Sequence, residues 1–176
     1  YIKWRNWNEI LDLYDNKKRK INRTIIRDKE NTQKGEYKLS VHIWIMNSKG
    51  DFLIQKRKND LKRHPGKWGF TGGAVSFGED SLEGAKRELK EELSIDLNEE
   101  QIELLFTIKR RIDFVDVFLL EADFDISSLK LQDEEVDRVE WVSKEKIMDL
   151  TNNGDFVSSI NLYKDLLFKL IEDKKA

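Results

Sequence analysis

The chain has 176 residues, of which 32 are basic and 34 acidic, and its net charge of −2 gives no electrostatic reason to expect a nucleic acid as partner. It contains no cysteine, which excludes disulfides, thiolate metal sites and cysteine nucleophiles. No apolar run approaches the ~20 residues that a membrane-spanning helix needs, and the N-terminus lacks the apolar stretch of a signal peptide. We therefore expect a cytoplasmic protein without membrane contact, built as one domain over residues 1–176.

Residues 1–37 are predicted to form an N-terminal extension built around a β-hairpin. The segments Leu11–Tyr14 and Lys20–Ile26 flank a turn-forming cluster at residues 15–18. Trp4 and Trp7 lie among polar neighbours in front of it, where the pattern favours no element. We expect the apolar side chains of the hairpin to pack on the core. Pairing with a second subunit, and hence a homodimer, is the alternative.

The core, residues 38–176, begins with two predicted strands. Residues 38–46 alternate between two faces, a turn follows at residues 47–50, and residues 52–57 return, so the pattern predicts a second hairpin. His42 and Trp44 lie on one face of the first strand. A single histidine in a strand is more often a packed or solvated residue than a ligand, which is the interpretation we favour for His42.

The second half of the core alternates strands with helices. Strands are predicted at residues 102–108, 112–124 and 136–142, the second of them apolar enough to be central. Helices are predicted at residues 144–150, with Ser143 as the N-cap, and at residues 155–173. Elements mixed in this order predict a layered α/β fold with a mixed sheet.

Between the two halves lies a predicted helix, Ser81–Leu93, that carries several carboxylates. Asp80 or Ser81 supplies the N-cap, and Gly72 and Gly73 precede the helix closely enough to present their backbone to a ligand. At about 100° per residue, three glutamates share one arc beside an apolar flank. These glutamates are Glu88, Glu91 and Glu92, and the flank consists of Leu82, Ala85, Leu89 and Leu93.

The stretch from Gly73 to Ile95 resembles the Nudix box of pyrophosphohydrolases. The shared features are Gly73, Glu79 and the run Arg87-Glu88-Leu89-x-Glu91-Glu92, at the family's spacing. One position departs from the pattern, since Ser94 stands where the family has glycine. This is the predicted end of the helix, where a left-handed residue other than glycine costs roughly 1 kcal/mol.

The resemblance implies an α/β/α sandwich and a divalent metal site for Mg²⁺ or Mn²⁺. In the family, the residues that match Glu88, Glu91 and Glu92 bind the metal together with the backbone carbonyl at the position of Gly73. The physical chemistry agrees, because three carboxylates on one helical turn repel one another unless a cation lies between them.

The resemblance also implies roles in catalysis and in orientation. The positions of Glu79 and Arg87 are linked to orientation, since an arginine fork can hold a carboxylate in place. One carboxylate must accept a proton from the attacking water, and the family does not place this base consistently. The candidates for the base are Glu88, Glu92, Glu134 and Glu135.

The implied reaction is hydrolysis of a diphosphate bond in a nucleoside diphosphate linked to another moiety. Arg57, Trp68 and Phe70 are the candidate substrate-binding residues, although the two aromatic residues are better explained as core. Arg110, Arg111 and Asp113 are further candidates for the lining of a substrate pocket. The expected partner is thus a small-molecule diphosphate, and the sequence does not identify the moiety that is attached to the diphosphate.

Two other functions stay open at this stage. Isopentenyl-diphosphate isomerase belongs to the same superfamily, and the segment from Lys38 to Asp60 partly resembles its N-terminal layout. Those isomerases use a catalytic cysteine and a histidine-rich metal site, whereas this chain has no cysteine and only His42 and His64. A module that senses nucleotides without cleaving them is the other alternative, and the complete set of carboxylates argues against it.

Overall fold

The computed structural model describes residues 9–97 and 101–176. Trp4 and Trp7 lie outside the described residues. The strands are β1 Ile10–Tyr14, β2 Lys20–Ile26, β3 Lys38–Met46, β4 Phe52–Arg57, β5 Trp68–Gly69, β6 Thr71–Ala74, β7 Ile102–Lys109, β8 Asp113–Glu121 and β9 Val136–Val142. The α-helices are α1 Ser81–Leu93, α2 Lys144–Asn152 and α3 Lys164–Lys175.

The predicted N-terminal hairpin is present as the antiparallel pair β1–β2. Its turn forms because the Asp15 carboxylate accepts hydrogen bonds from the backbone N–H groups of Lys17 and Arg19, at 2.8 and 3.0 Å. The apolar side chains of the hairpin pack on the main sheet of the same chain, as expected, around the small residue Ala74 of β6. At the tip, the ammonium group of Lys18 contacts the buried carboxylate of Asp116 at 2.5 Å, which fastens the hairpin to the sheet.

The main sheet has seven strands and mixed direction. Its path is β5-β4-β3-β8-β7, while β6 pairs with β3 and β9 pairs with β4. β3 pairs in parallel with β8 along its whole length. The predicted hairpin of β3 and β4 is present as an antiparallel pair, but its direct pairing is limited to Met46 and Phe52. The inner part of that edge of β3 pairs with β6 instead, which places Gly73 opposite Val41.

Helices cover both faces of this sheet, which makes an α/β/α sandwich. One face packs on α1 through the apolar flank predicted from the sequence, with Ala85, Leu89 and Leu93 fully buried. The other face carries Trp44 and packs on α2 and α3. The alternation of apolar residues along β3 therefore separates two cores rather than a core and a solvent face.

The chain between residues 155 and 173 differs from the predicted single helix. A short 3-10 turn spans Ser158–Leu162, and α3 begins only at Lys164. Tyr163 interrupts the helix, with φ −147° and ψ 2°. Its buried hydroxyl group accepts a hydrogen bond from the Trp44 indole at 3.2 Å, so a tertiary contact overrides the local helical pattern.

α1 has the predicted bounds, Ser81–Leu93, and the structure resolves its cap as Asp80. The Asp80 carboxylate accepts from the Glu83 N–H, and the Glu83 carboxylate accepts from the Asp80 N–H, both at 2.8 Å. Ser94 ends the helix in the left-handed region, with φ 56° and ψ 32°. Serine thus adopts the conformation for which the family uses glycine, and its hydroxyl group donates to the Lys130 carbonyl at 3.1 Å.

Candidate active site

Arg87 is the residue that organises the polar face of α1. Its guanidinium holds Glu79 in a fork, with Nε–Oε1 at 2.7 Å and Nη2–Oε2 at 3.1 Å. The same group donates to the Ala74 carbonyl at 2.9 Å and to Glu88 at 2.8 Å. Burial favours a raised pKa for Glu79, but these hydrogen bonds outweigh it and leave that pKa below its ordinary value. Arg87 therefore links β6, the start of the box and one candidate metal ligand.

Glu88 lies against Gly73 and is only 8% exposed. A Cβ atom on Gly73 would lie 2.5 Å from the carboxylate carbon of Glu88, so no other residue type fits there without moving Glu88. Burial raises the pKa of Glu88, although the nearby Arg87 opposes that rise. Gly73, which the sequence analysis selected, thus provides the space that the carboxylate of Glu88 occupies.

Glu92 is the most deeply buried carboxylate of the box, with 3% of the residue exposed. Its carboxylate accepts a hydrogen bond from the Gln55 amide at 2.8 Å, and Gln55 in turn accepts from the Thr71 hydroxyl at 3.1 Å. Burial, and next to it the charge of Glu88, raise the pKa of Glu92 well above its ordinary value. Negative charge on Glu92 and Glu88 is therefore costly unless a cation compensates it.

The donor set fits a hard divalent cation. Glu88, Glu91 and Glu92 offer carboxylate oxygens and Gly73 offers a carbonyl group, which are the ligands that Mg²⁺ prefers. Glu91 lies at the rim, with its side chain 28% exposed and 3.5 Å from Arg87. Within the described residues, no three acidic or histidine side chains converge tightly enough to hold a metal ion as they stand. Glu88 bonds to Arg87, and Glu92 bonds to Gln55.

One of the two loop candidates for the base lies near this site. The loop after residue 131 is tied to the end of α1, because the Gln132 N–H donates to the Glu92 carbonyl at 2.9 Å. In the same loop Glu135, which is partly buried, is one of the charges that raise the pKa of Glu92. Glu134 is exposed. The geometry therefore favours Glu135 over Glu134 among the loop candidates.

The N-terminal extension reaches the site through residues that the sequence did not single out. Glu9 accepts from the Ser76 hydroxyl at 3.1 Å and from the Arg27 guanidinium at 2.8 Å. Burial lowers the pKa of Arg27, but the hydrogen bond to Glu9 and, as a smaller contribution, the charge of Glu88 raise it above its ordinary value. No local pattern marks Arg27 or Glu9. Gln55 carried one signal, since it is a polar residue that directly follows three apolar ones in a strand.

The three predicted substrate-binding residues occupy different places. Arg57 lies at the site, since its charge acts on Glu92 and its Nε donates to the Arg63 carbonyl at 3.2 Å. Trp68 is buried in the core beneath α2 and α3, as the preferred interpretation held. Phe70 is partly buried, with its ring centre 4.3 Å from that of His42. Contact with a substrate stays a prediction for each of them.

His42 is packed and hydrogen-bonded, in agreement with the interpretation we favoured. Its Nδ1 lies 2.9 Å from the Tyr163 hydroxyl group. Burial, and beside it the positive charge of Arg110, lower the pKa of His42 to about 3.

This shift predicts an acid-dependent loss of stability. The unfolded chain binds a proton on His42 below pH 6.5 and the folded protein only near pH 3, so the stabilisation is complete above pH 6.5 and decreases as the pH falls. Between pH 7 and 5, the free energy of unfolding should fall by about 2 kcal/mol more in the wild type than in His42→Gln. Urea unfolding at both pH values measures the difference. His64→Gln, in an exposed loop, is the control, and its free energy of unfolding should decrease between pH 7 and 5 almost as much as that of the wild type. An equal pH dependence in the wild type and in His42→Gln would contradict the assignment.

Comparison with known proteins agrees with this fold and site. A model of the NUDIX domain family matches residues 36–160. The uncharacterized Nudix hydrolase lin0387 of Listeria innocua is 36% identical over 150 residues, which are 85% of this chain and 88% of that protein. The crystal structure of DR0079 from Deinococcus radiodurans superposes with a TM-score of 0.71 at 22% identity, covering 85% of this chain and 92% of the other. The MutT protein of Methanosarcina mazei superposes with a TM-score of 0.59 at 26% identity, covering 80% and 96%.

The chain belongs to the NUDIX domain family, and its enzyme class is that of the Nudix pyrophosphohydrolases. The resemblance deduced from the stretch between Gly73 and Ile95 is thereby confirmed, as is the α/β/α fold with its N-terminal hairpin. Among the described residues, no helix is both long and apolar enough to span a membrane.

Proposed function

We propose that this protein is a Mg²⁺- or Mn²⁺-dependent hydrolase that cleaves the diphosphate bond of a nucleoside diphosphate linked to another moiety. The observation that carries the proposal is the buried pair Glu88 and Glu92, whose pKa values are both raised beside Gly73. Buried negative charge of this kind is stabilised by a divalent cation, and such a cation commonly bridges carboxylates to substrate phosphates.

The residues of the site divide into ligands, positioning groups and a base. Glu88, Glu91, Glu92 and the Gly73 carbonyl would hold the metal, which when bound neutralises phosphate oxygens and acidifies water. Arg87 positions Glu88 through its hydrogen bond at 2.8 Å, while its fork keeps Glu79 in place. A buried carboxylate whose pKa is raised is a stronger base than an ordinary carboxylate, which suits Glu92 for the general base, with Glu88 and Glu135 as alternatives.

The positive side chains near the site favour an anionic substrate. Arg57 acts on Glu92 and Arg27 on Glu88, so positive side chains border the carboxylates from β4 and from the N-terminal extension. Such a border attracts a diphosphate and shields it from the carboxylates.

We place the whole activity in one domain, residues 1–176, in which residues 1–37 form the extension and residues 38–176 the Nudix core. We propose that the protein acts in the cytoplasm. A homodimer is compatible with the exposed apolar edge of β7 at Leu104.

The test is the double variant Glu91→Gln, Glu92→Gln, assayed with Mg²⁺ on a panel of nucleoside diphosphate derivatives. Phosphate ester release by the wild type should stop in EDTA, and the variant should lose about 10²–10⁴-fold in kcat while staying folded. Glu121→Gln, Glu145→Gln serves as the control, because both glutamates are exposed and lie outside α1. A folded double variant with full activity would refute the assignment. Nucleotide binding without turnover across the panel would favour a sensing module instead.

A further inference from the structure

A cavity of about 250 Å³ opens where β3 begins. It lies between the loop that joins β2 to β3 and the turn that joins β7 to β8. Ile25, Glu30, Asn31, Thr32, Lys38 and Arg111 are among the residues that line it. The cavity is separate from the carboxylates of α1, none of which contributes to its lining.

Lys38 and Arg111 give this cavity two cations without acidic partners. Among residues 9–97 and 101–176, neither side chain forms a hydrogen bond or an ion pair. Lys38 is partly buried, and burial followed by the charges of Arg63 and Arg27 lowers the pKa of its ammonium group, although Asp113 opposes that change. A partly buried ammonium group without a partner is costly, and natural proteins rarely retain one without a compensating ligand.

The acidic groups near the cavity are already engaged elsewhere. Asp113 is held by Arg110, with Nε–Oδ1 at 2.7 Å. Asp28 pairs with Arg63 at 2.7 Å. The Glu30 carboxylate accepts the backbone N–H of Ile26 at 2.6 Å. Glu30 lines the cavity as well, but its carboxylate bonds to the backbone and forms no ion pair with Lys38 or Arg111, so these two cations can attract an anion from outside the protein.

The cavity lies within reach of the candidate active site. The charge of Arg27 is among those that lower the pKa of Lys38, and the charge of Glu88 is among those that raise the pKa of Arg27. On β3, Lys38 is three positions before Val41, and Val41 pairs with Gly73. At about 3.3 Å per residue, the backbone distance along the strand is about 10 Å. Side chains three positions apart leave opposite faces of a strand, so a nucleotide-sized ligand that joins the two places has to pass around the end of the sheet.

We propose that Lys38 and Arg111 form an anion-binding subsite for a phosphoryl group carried by the substrate away from its scissile diphosphate. The side chains of Asn31 and Thr32 add neutral hydrogen-bonding groups to the same wall. The subsite rests on the proposed hydrolase function and narrows it: the preferred substrates are diphosphates that bear an additional phosphate on one of their two halves.

The first test measures binding without catalysis. Inorganic phosphate is titrated into the protein by calorimetry in EDTA, a condition in which the box carboxylates repel anions. Lys38→Met and Arg111→Met should each weaken phosphate binding about tenfold or more, because each removes a charge-assisted hydrogen bond. Lys38→Arg should restore it. Lys169→Met, at an exposed position on α3, is the matched control and should bind phosphate like the wild type.

The second test measures selectivity on substrate pairs that differ by one phosphate, namely NADPH with NADH and coenzyme A with its 3′-dephospho form. The wild type should prefer the phosphorylated member about tenfold in kcat/KM. Lys38→Met should abolish that preference and leave the rate on the other member within about twofold. Circular dichroism and the unfolding midpoint verify that each variant is folded.

The outcomes separate the two proposals. Phosphate affinity that is unchanged in Lys38→Met and Arg111→Met would overturn the subsite, and so would equal rates of the wild type on both members of each hydrolysed pair. A protein that binds phosphate through Lys38 but cleaves no diphosphate of the broad panel would keep the subsite and refute the hydrolase function.

Discussion

Gly73→Ala is expected to lower kcat by about 100-fold or more while the protein stays folded. The added methyl group overlaps the carboxylate of Glu88, with the carboxylate carbon 2.5 Å away, so Glu88 has to leave its place against Gly73. Displacement of a catalytic group by about 1 Å can reduce the rate 100-fold. Steady-state kinetics across a Mg²⁺ titration would measure the loss together with a weaker apparent affinity for the metal.

Gly72→Ala provides the contrast for this prediction. A Cβ atom on Gly72 would collide with the backbone carbonyl of Val41 and lie 3.4 Å from the Cα of His42. Since a backbone atom cannot swing away as a side chain does, this substitution should destabilise the sheet rather than act on Glu88. The assignment of Gly73 fails if Gly73→Ala retains wild-type kcat and metal dependence, or if it lowers the unfolding midpoint as much as Gly72→Ala.

Arg87→Lys is expected to destabilise the protein by about 2–4 kcal/mol and to reduce kcat by about tenfold or more. Lysine keeps the charge but lacks the planar fork that holds both oxygens of Glu79. It also cannot maintain the simultaneous bonds to the Ala74 carbonyl and to Glu88. The stability loss follows from leaving partly buried carboxylates and a carbonyl with fewer donors, although Glu79 keeps the hydrogen bond from the Ser76 N–H. Urea unfolding and kcat on the best substrate of the panel measure the two effects.

The matched control is Arg19→Lys, since Arg19 also pairs with a carboxylate, Asp15, but is 70% exposed. That change should alter stability by less than about 0.5 kcal/mol. A double-mutant cycle of Arg87→Lys with Glu79→Gln should show coupling, because the two residues share one fork. Additive effects in that cycle would argue that Arg87 acts on Glu88 alone.

The parts of the site that the sequence predicted are those encoded by local interactions. The cap at Asp80, the bounds of α1 and the left-handed Ser94 each depend on residues within one helical turn. The shared arc of Glu88, Glu91 and Glu92 follows from helical geometry alone. These features could be derived without knowing which strand lies beside the helix.

The features that escaped prediction depend on contacts between distant segments. Gln55 supports Glu92 from 37 positions away, and Arg27 is linked to the box through Glu9, whose carboxylate accepts from both Arg27 and Ser76. The limited pairing of β3 with β4 and the break at Tyr163 have the same origin, because partners elsewhere in the chain outcompete the local pattern. A single sequence contains no signal for such partnerships.

The parallel pairing of β3 with β8 has a consequence for how the enzyme is made. β3 begins at Lys38, but the strand that pairs along its full length begins at Asp113, and β4 finds its partner β9 only between Val136 and Val142. A growing chain that has just released the box from the ribosome therefore has the helix, β3 and β4 but neither β8 nor β9. Because domains fold as units during synthesis, the chemistry of α1 has to wait for residues far downstream of it. Ribosome-bound intermediates that end before β9 should carry the whole motif and none of the activity.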